Sequence, residues 1–157
     1  YNDTFQDFVI IREDYSQYNQ NLTLSLYPEE TADILIITYG GSALVALEAA
    51  NKFFMDEEII VNVCVLSSIK PIDIEFVKNS VNDCGRVIIL EEGNVFGGWG
   101  AEVSSVIHEN SFHKLKYPVQ RVGSLDFPIP SSGPMELEIL PSPKLLYTIF
   151  KKMMKDS

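Results

Sequence analysis

The sequence predicts an α/β domain: a three-layer α/β/α sandwich around a mostly parallel, five-stranded sheet. Three observations carry this. The runs at 34–39, 59–66 and 87–90 are apolar and β-branched without alternation, as strands covered on both faces are. Helix-period patterns lie between those runs, the order expected of strand–helix–strand crossovers. Residues 86–102 then read as strand, glycine-punctuated loop and helix, the unit at whose strand ends ligand and partner surfaces gather in open α/β sheets.

Taken in order, residues 1–20 mix aromatic and polar side chains around one β-rich run, Phe8 to Ile11, and predict a connecting arm with a short strand. Leu22, Leu24 and Leu26 alternate with Thr23 and Ser25, the period of a half-buried strand. Pro28, Glu29, Glu30 and Thr31 break it. The first central strand, 34–39, runs into Gly40 and Gly41, and Ser42 is placed to cap a helix over 43–55. Leu44, Leu47 and residues 50–54 sit at helical spacing there. Asp56, Glu57 and Glu58 are unfavourable at a helix C-terminus and mark its end.

After the strand at 59–66, Pro71 suits the first turn of a short helix and Asp73 the region of its N-terminus. Phe76, Val77 and Val81 form its inner face, and Gly85 is able to take the left-handed conformation that ends it. Residues 101–112 predict a helix with Val103, Val106, Ile107 and Phe112 inward. A short strand follows at 118–122, and then an ordered loop over 126–134. The last helix turns Leu145, Leu146, Ile149 and Phe150 inward and places Lys151, Lys152 and Lys155 at its C-terminal end.

Composition bounds the function. The 157 residues fit one domain with a sizeable core. A net charge of −10 argues against a nucleic-acid surface, which needs basic patches to neutralise phosphates. Cys64 and Cys84 have no partner spacing and read as small buried hydrophobes. No apolar run reaches the ~20 residues of a membrane-spanning helix, so the expectation is a soluble, cytoplasmic protein. Tyr1 in first place reads as a piece cut from a longer polypeptide.

Reactive groups are few. Gly93, Gly97, Gly98 and Gly100 precede a helix and could bring N–H groups to a phosphate, but the spacing is neither the dinucleotide fingerprint nor a P-loop. Two carboxylates, Glu91 and Glu92, stand at the strand end and would repel one. Tight turn and backbone packing is the better reading. Strand alternation sends those two acids to opposite sides, so they form no catalytic pair, and one of them buried under the loop would bond its N–H groups. Ser42 lacks the second glycine of a nucleophile elbow. His108 and His113 share no helix face and read as surface or helix-end residues. No catalytic, cofactor-binding or metal-binding residue is assigned.

Several segments together carry a family resemblance. Tyr39 and Gly40 precede the first helix; Ser67, Ser68, Ile69, Lys70, Pro71, Ile72 and Asp73 fit an x-x-I-x-P-x-D segment. Gly85, Arg86 and Val87 lead to Glu91, Glu92 and Gly93, and then to Gly97, Gly98, Trp99, Gly100, Ala101 and Glu102. Pro118, Val119, Arg121 and Val122 precede Asp126, Pro128 and Pro130, with Glu138, Leu140 and Pro141 at the end. From residue 33 to residue 152 the chain resembles the C-terminal domain of transketolase-like thiamine diphosphate enzymes. It is most similar to the β subunit of 2-oxoacid dehydrogenase E1 components, of the 2-oxoisovalerate and pyruvate dehydrogenase type.

Residues 1–30 read as a connecting arm with one or two short strands, and the resemblance implies a transketolase C-terminal-like domain at 31–157. It implies a parent oxidoreductase that oxidatively decarboxylates a 2-oxo acid and passes the acyl group to the lipoyl group of E2. Thiamine diphosphate and Mg²⁺ would be bound by domains absent from this sequence, and the domain alone would be inactive. Implied partners are a second copy, an E1 α subunit or fused α region, and the dihydrolipoyl acyltransferase E2. Interface candidates are Glu92, Gly93, Gly97, Gly98, Trp99, Gly100, Asp126, Pro128 and Pro130. Lys116 stands where the E1 β pattern has an acid, and no E2-docking residue is assigned. Two other readings remain open: the same domain of a transketolase or deoxyxylulose-phosphate synthase, or a free-standing nucleotide-binding module using the glycine loop.

Overall fold

In the computed structural model of the protein, residues 7–15, 19–128 and 130–155 are described. Tyr1 to Gln6 and Ser16 to Tyr18 of the arm, Ile129 of the proline-rich loop and the last two residues lie outside them.

The strands are β1 (Val9–Tyr15), β2 (Gln20–Ser25), β3 (Ile34–Tyr39), β4 (Val61–Leu66), β5 (Val87–Asn94) and β6 (Gln120–Ser124). They form one sheet in the order β1-β2-β4-β3-β5-β6. The β4-β3-β5-β6 portion is parallel, and β2 adds to β4 antiparallel, with Leu24 opposite Val63. The helices are α1 (Ser42–Glu57), α2 (Ile74–Cys84), α3 (Trp99–Ser111), α4 (Gly133–Ile139) and α5 (Pro143–Lys155).

Because successive side chains of a strand point to opposite faces, β3 feeds two cores. Ile34 and Ile36 pack under α1 and α5 with Phe53, Leu146 and Phe150. Leu35 and Ile37 pack under α2 and α3 with Phe76, Val81 and Ile107. Each of these large side chains, fully removed from water, contributes roughly 1.5–3 kcal/mol. The three layers expected from the unalternated strands are present.

Several expectations are corrected. The sheet has six strands rather than five, because both strands of the arm join its edge: β1 pairs with β2, and β2 with β4. Ser42 does not cap α1; Gly41 holds the cap position, and Ser42 is the first helical residue. Pro71 follows a cis peptide bond, outside any helix, and α2 starts at Ile74. Asp73 caps it by accepting the Phe76 N–H at 3.0 Å. Leu44, Phe112 and Leu145 fit an inward helical stripe yet are 57%, 67% and 40% exposed. The stretch after Ser132 is the short helix α4, with no buried residue, where no helix was expected. Gly85 ends α2 with φ +81°, as anticipated.

Candidate functional site

The helices that follow β3 and β5 leave the sheet on opposite faces, α1 over one core and α3 over the other. The carboxyl ends of these neighbouring parallel strands therefore enclose the topological switch point, where ligands of open α/β sheets bind. Its walls are Tyr39, Gly40 and Gly41 on one side and residues 91–100 on the other.

The alternation of β5 decides what fills it. Val87 and Ile89 face α2 and α3, so Glu91 continues toward the N-terminus of α3. Ile88 and Leu90 face α1, so Glu92 continues toward the N-terminus of α1. Glu91 is 1% exposed, and its Oε1 accepts the Gly100 N–H at 3.0 Å. Glu92 is exposed, and its Oε1 would lie 2.8 Å from a Cβ placed on Gly41. Each carboxylate thus stands at a helix N-terminus, where the unsatisfied N–H groups and the helix dipole favour negative charge.

The glycines make room for Glu91. A Cβ on Gly98 would fall 2.6 and 2.7 Å from its two carboxylate oxygens, and one on Gly100 2.7 Å from Oε1. A Cβ on Gly123 of β6 would meet its Cγ at 3.2 Å and also press on the Gly93 carbonyl. Burial raises the Glu91 pKa, while the Gly100 amide, the Arg121 guanidinium and the Trp99 amide pull it back down. Burial, with the Glu91 and Glu92 charges, likewise raises the Tyr39 phenol. The Tyr39 and Trp99 rings meet edge to face, with centroids 4.8 Å apart.

The rest of the loop is tied to β6. Arg121 donates to the Val95 carbonyl, Ser124 Oγ donates to Asn94 Oδ1 at 2.7 Å, and Asn94 Nδ2 donates to Asp126 Oδ1 at 3.1 Å. Of the sequence-predicted interface residues, the structure brings Gly93, Gly98, Trp99, Gly100 and Asp126 into this one network. Glu92 and Gly97 are on its exposed side; Pro128 is exposed and Pro130 half-buried. From sequence, Tyr39 and Arg121 stand out only as carriers of the family resemblance, not as interface candidates, and Asn94 and Gly123 not at all. Only strand pairing, which sequence periodicity does not report, brings the β6 residues to the loop.

The site is built to hold its own anion rather than a foreign one. A diphosphate at the α3 N-terminus would need the Gly100 N–H and the space that Glu91 takes. Among the described residues no group of three His, Cys, Asp or Glu could hold a metal ion. At the α3 N-terminus, then, the residues present do not fit the diphosphate of thiamine diphosphate. Cys64 and Cys84 are buried and free, and burial pushes the Cys64 thiol up to about 12, which leaves it unreactive.

Around this closed crevice the surface is apolar. Leu44, Ile69, Ile74, Phe96, Leu125 and Phe127 are all exposed, and they come from the segments that follow the carboxyl ends of β3, β4, β5 and β6. Phe96, at the loop tip, is 89% exposed. An apolar cleft of about 630 Å³ lies between the segment at 69–74 and the Trp99 and Val106 side of α3.

The chain is similar to several known proteins. The sequence profile of the transketolase C-terminal domain matches residues 26–145. The chain is 36% identical to the 2-oxoisovalerate dehydrogenase subunit beta of Pseudomonas aeruginosa, over 79% of this chain and 34% of that protein. It is 33% identical to the pyruvate dehydrogenase E1 component subunit beta of Rickettsia conorii, over 79% of this chain and 38% of that one. It therefore spans little more than a third of the length of these relatives. A solved structure described as a split gene transketolase, inactive beta4 tetramer, superposes with TM-score 0.68 at 29% identity, over 85% of this chain and 42% of the other. With the profile matched over residues 26–145 and these similarities beside it, this chain belongs to the transketolase C-terminal domain family.

Proposed function

We propose that the chain is the C-terminal assembly domain of a thiamine-diphosphate-dependent 2-oxoacid dehydrogenase E1, as a β subunit or part of a fused αβ chain. The parent would be a cytoplasmic oxidoreductase that oxidatively decarboxylates a branched-chain 2-oxo acid or pyruvate and passes the acyl group to lipoyl-E2. This chain would supply no catalytic group. Its partners would be a second copy, the E1 α region and the dihydrolipoyl acyltransferase E2. The similarity to two E1 β subunits supports the parent activity.

The observation that carries the assembly role is the exposed apolar rim headed by Phe96, set around a switch point already filled by Glu91. Dimer contacts would use the outer side of the glycine loop with Trp99, and the proline-rich segment 126–134. The test is sedimentation velocity at about 1–100 µM, a span that brackets micromolar association. Self-association that Phe96→Ser and Trp99→Ala both weaken supports the reading. A wild-type chain that stays monomeric throughout, or association unchanged in both variants, contradicts it. The nucleotide-module reading is disfavoured by the Glu91 carboxylate at the place a phosphate would take.

A further inference from the structure

The opposite end of the sheet carries a second surface of different chemistry. There a short 3₁₀ turn, Phe112–Lys114, leads from α3 toward the amino end of β6. A groove of about 450 Å³ has Phe112, Leu115, Tyr117 and Pro118 on its apolar side. Its rim carries Lys116 and both of the chain's histidines, His108 and His113, with Lys114 adjoining. Glu109 is the one acid between residues 108 and 118, and its Oε1 accepts from Ser105 Oγ at 3.2 Å.

The groove is held rather than loose. The Lys116 N–H donates to the Gly85 carbonyl at 2.9 Å, and the Leu115 N–H closes the turn on the Phe112 carbonyl at 3.1 Å. Gly85 sits so close beneath the Lys114 carbonyl that a side chain there would press on it. Phe112 nevertheless stands 67% exposed, its ring 6.0 Å from that of His108. An exposed aromatic on a rigid turn is the form of an interface anchor. The lysines Lys114 and Lys116 beside it, on a chain of net charge −10, give that anchor a sign.

We propose that this groove docks an acidic protein segment that inserts an apolar side chain beside Phe112 and places carboxylates against Lys114 and Lys116. Complementary charge would steer the encounter, and the rest of the strongly acidic surface would repel the same segment, confining it to this site. The surface lies at the amino ends of β5 and β6, away from the apolar rim, so its test stands apart from that of the assembly role.

The experiment is fluorescence anisotropy with two labelled twelve-residue peptides, read on the whole chain. Both carry a central Leu-Phe pair; one is flanked by Asp and Glu, the other by Lys and Arg. The acidic peptide is expected to bind with Kd below about 100 µM, the basic one not at all, and binding should weaken as salt rises from about 0.05 to about 0.5 M. Phe112→Ser should weaken it about tenfold or more, and Lys114→Glu about threefold. Both substitutions are of exposed side chains, and unchanged circular-dichroism melts would establish that the fold is retained. Equal binding of the two peptides, binding indifferent to both variants, or no binding below about 100 µM overturns the proposal. Self-association lost in Lys114→Glu, without peptide binding, overturns it in favour of a second copy as the occupant.

Discussion

The Glu91 carboxylate accepts the backbone N–H of Gly100 at 3.0 Å, a buried side chain at the end of β5 closing the first turn of α3. Sequence parity alone points to one of the two adjacent acids for this place. The structure adds that Gly98, Gly100 and Gly123 are the space it occupies.

Removing this carboxylate leaves buried N–H groups unsatisfied. Glu91→Ala is expected to lower stability by about 1–3 kcal/mol in urea unfolding, with Glu91→Gln between it and wild type. The pH dependence has a definite sign. Burial raises the folded pKa above the ordinary 4.5, so the protonated form is favoured in the folded state. The advantage of wild type over Glu91→Gln should therefore be greatest at and below that ordinary value. It should decline as pH rises through the raised one. Paired urea titrations across this span check it; an advantage that grows with pH would contradict the assignment.

Gly98 and Gly97 are adjacent and should respond differently to alanine. Gly97 has φ +68°, and a Cβ there would meet nothing within 4 Å, so Gly97→Ala costs only the left-handed backbone penalty of about 1–2 kcal/mol. At Gly98 the new Cβ would strike the Asn94 carbonyl and both Glu91 oxygens. Gly98→Ala should cost more, about 3 kcal/mol, and release the loop. Urea unfolding with hydrogen exchange at Gly100 reads both effects.

Ser42 offers the reverse case. It is 1% exposed, and its Oγ has no hydrogen-bond partner among the described residues. Ser42→Ala removes an unpaired buried hydroxyl and improves helix propensity, so stability should rise by about 0.5–1 kcal/mol. A loss of stability would show that the hydroxyl is satisfied and that α1 depends on it.

How far the sequence carries can be seen element by element. The central strands are legible because burial on both faces leaves an unalternated run at 34–37 and 87–90. The charge of Asp73 places it near the N-terminus of α2, but its role as the cap is not legible, because Pro71 reads as the first turn while the helix starts only at Ile74. The six-strand count is not, since β2 joins the sheet by pairing Leu22 with Val65, far along the chain, and period-2 alternation carries no address. Leu44, Phe112 and Leu145 obey helical spacing and still face outward. Periodicity identifies an apolar stripe but not what covers it. The β6 side of the candidate site was likewise hidden, because Arg121 and Ser124 reach the loop only through that strand's place beside β5.

The edge strand supplies its own test. Asn21 is 1% exposed; its Nδ2 donates to Asp73 Oδ2 at 3.0 Å, and its Oδ1 accepts the Ser67 N–H at 3.1 Å. It ties β2 to the end of β4 and to the cap of α2. Asn21→Ala should cost about 1–3 kcal/mol in urea unfolding. A negligible effect would make the arm separable from the domain.

The proposal that this chain does not itself hold the cofactor is decided by isothermal titration of the purified chain with thiamine diphosphate and Mg²⁺. No binding heat is expected up to about 1 mM, because the α3 N-terminus is already occupied by Glu91. Micromolar binding that Gly98→Glu abolishes would contradict the claim and make the glycine loop a phosphate site.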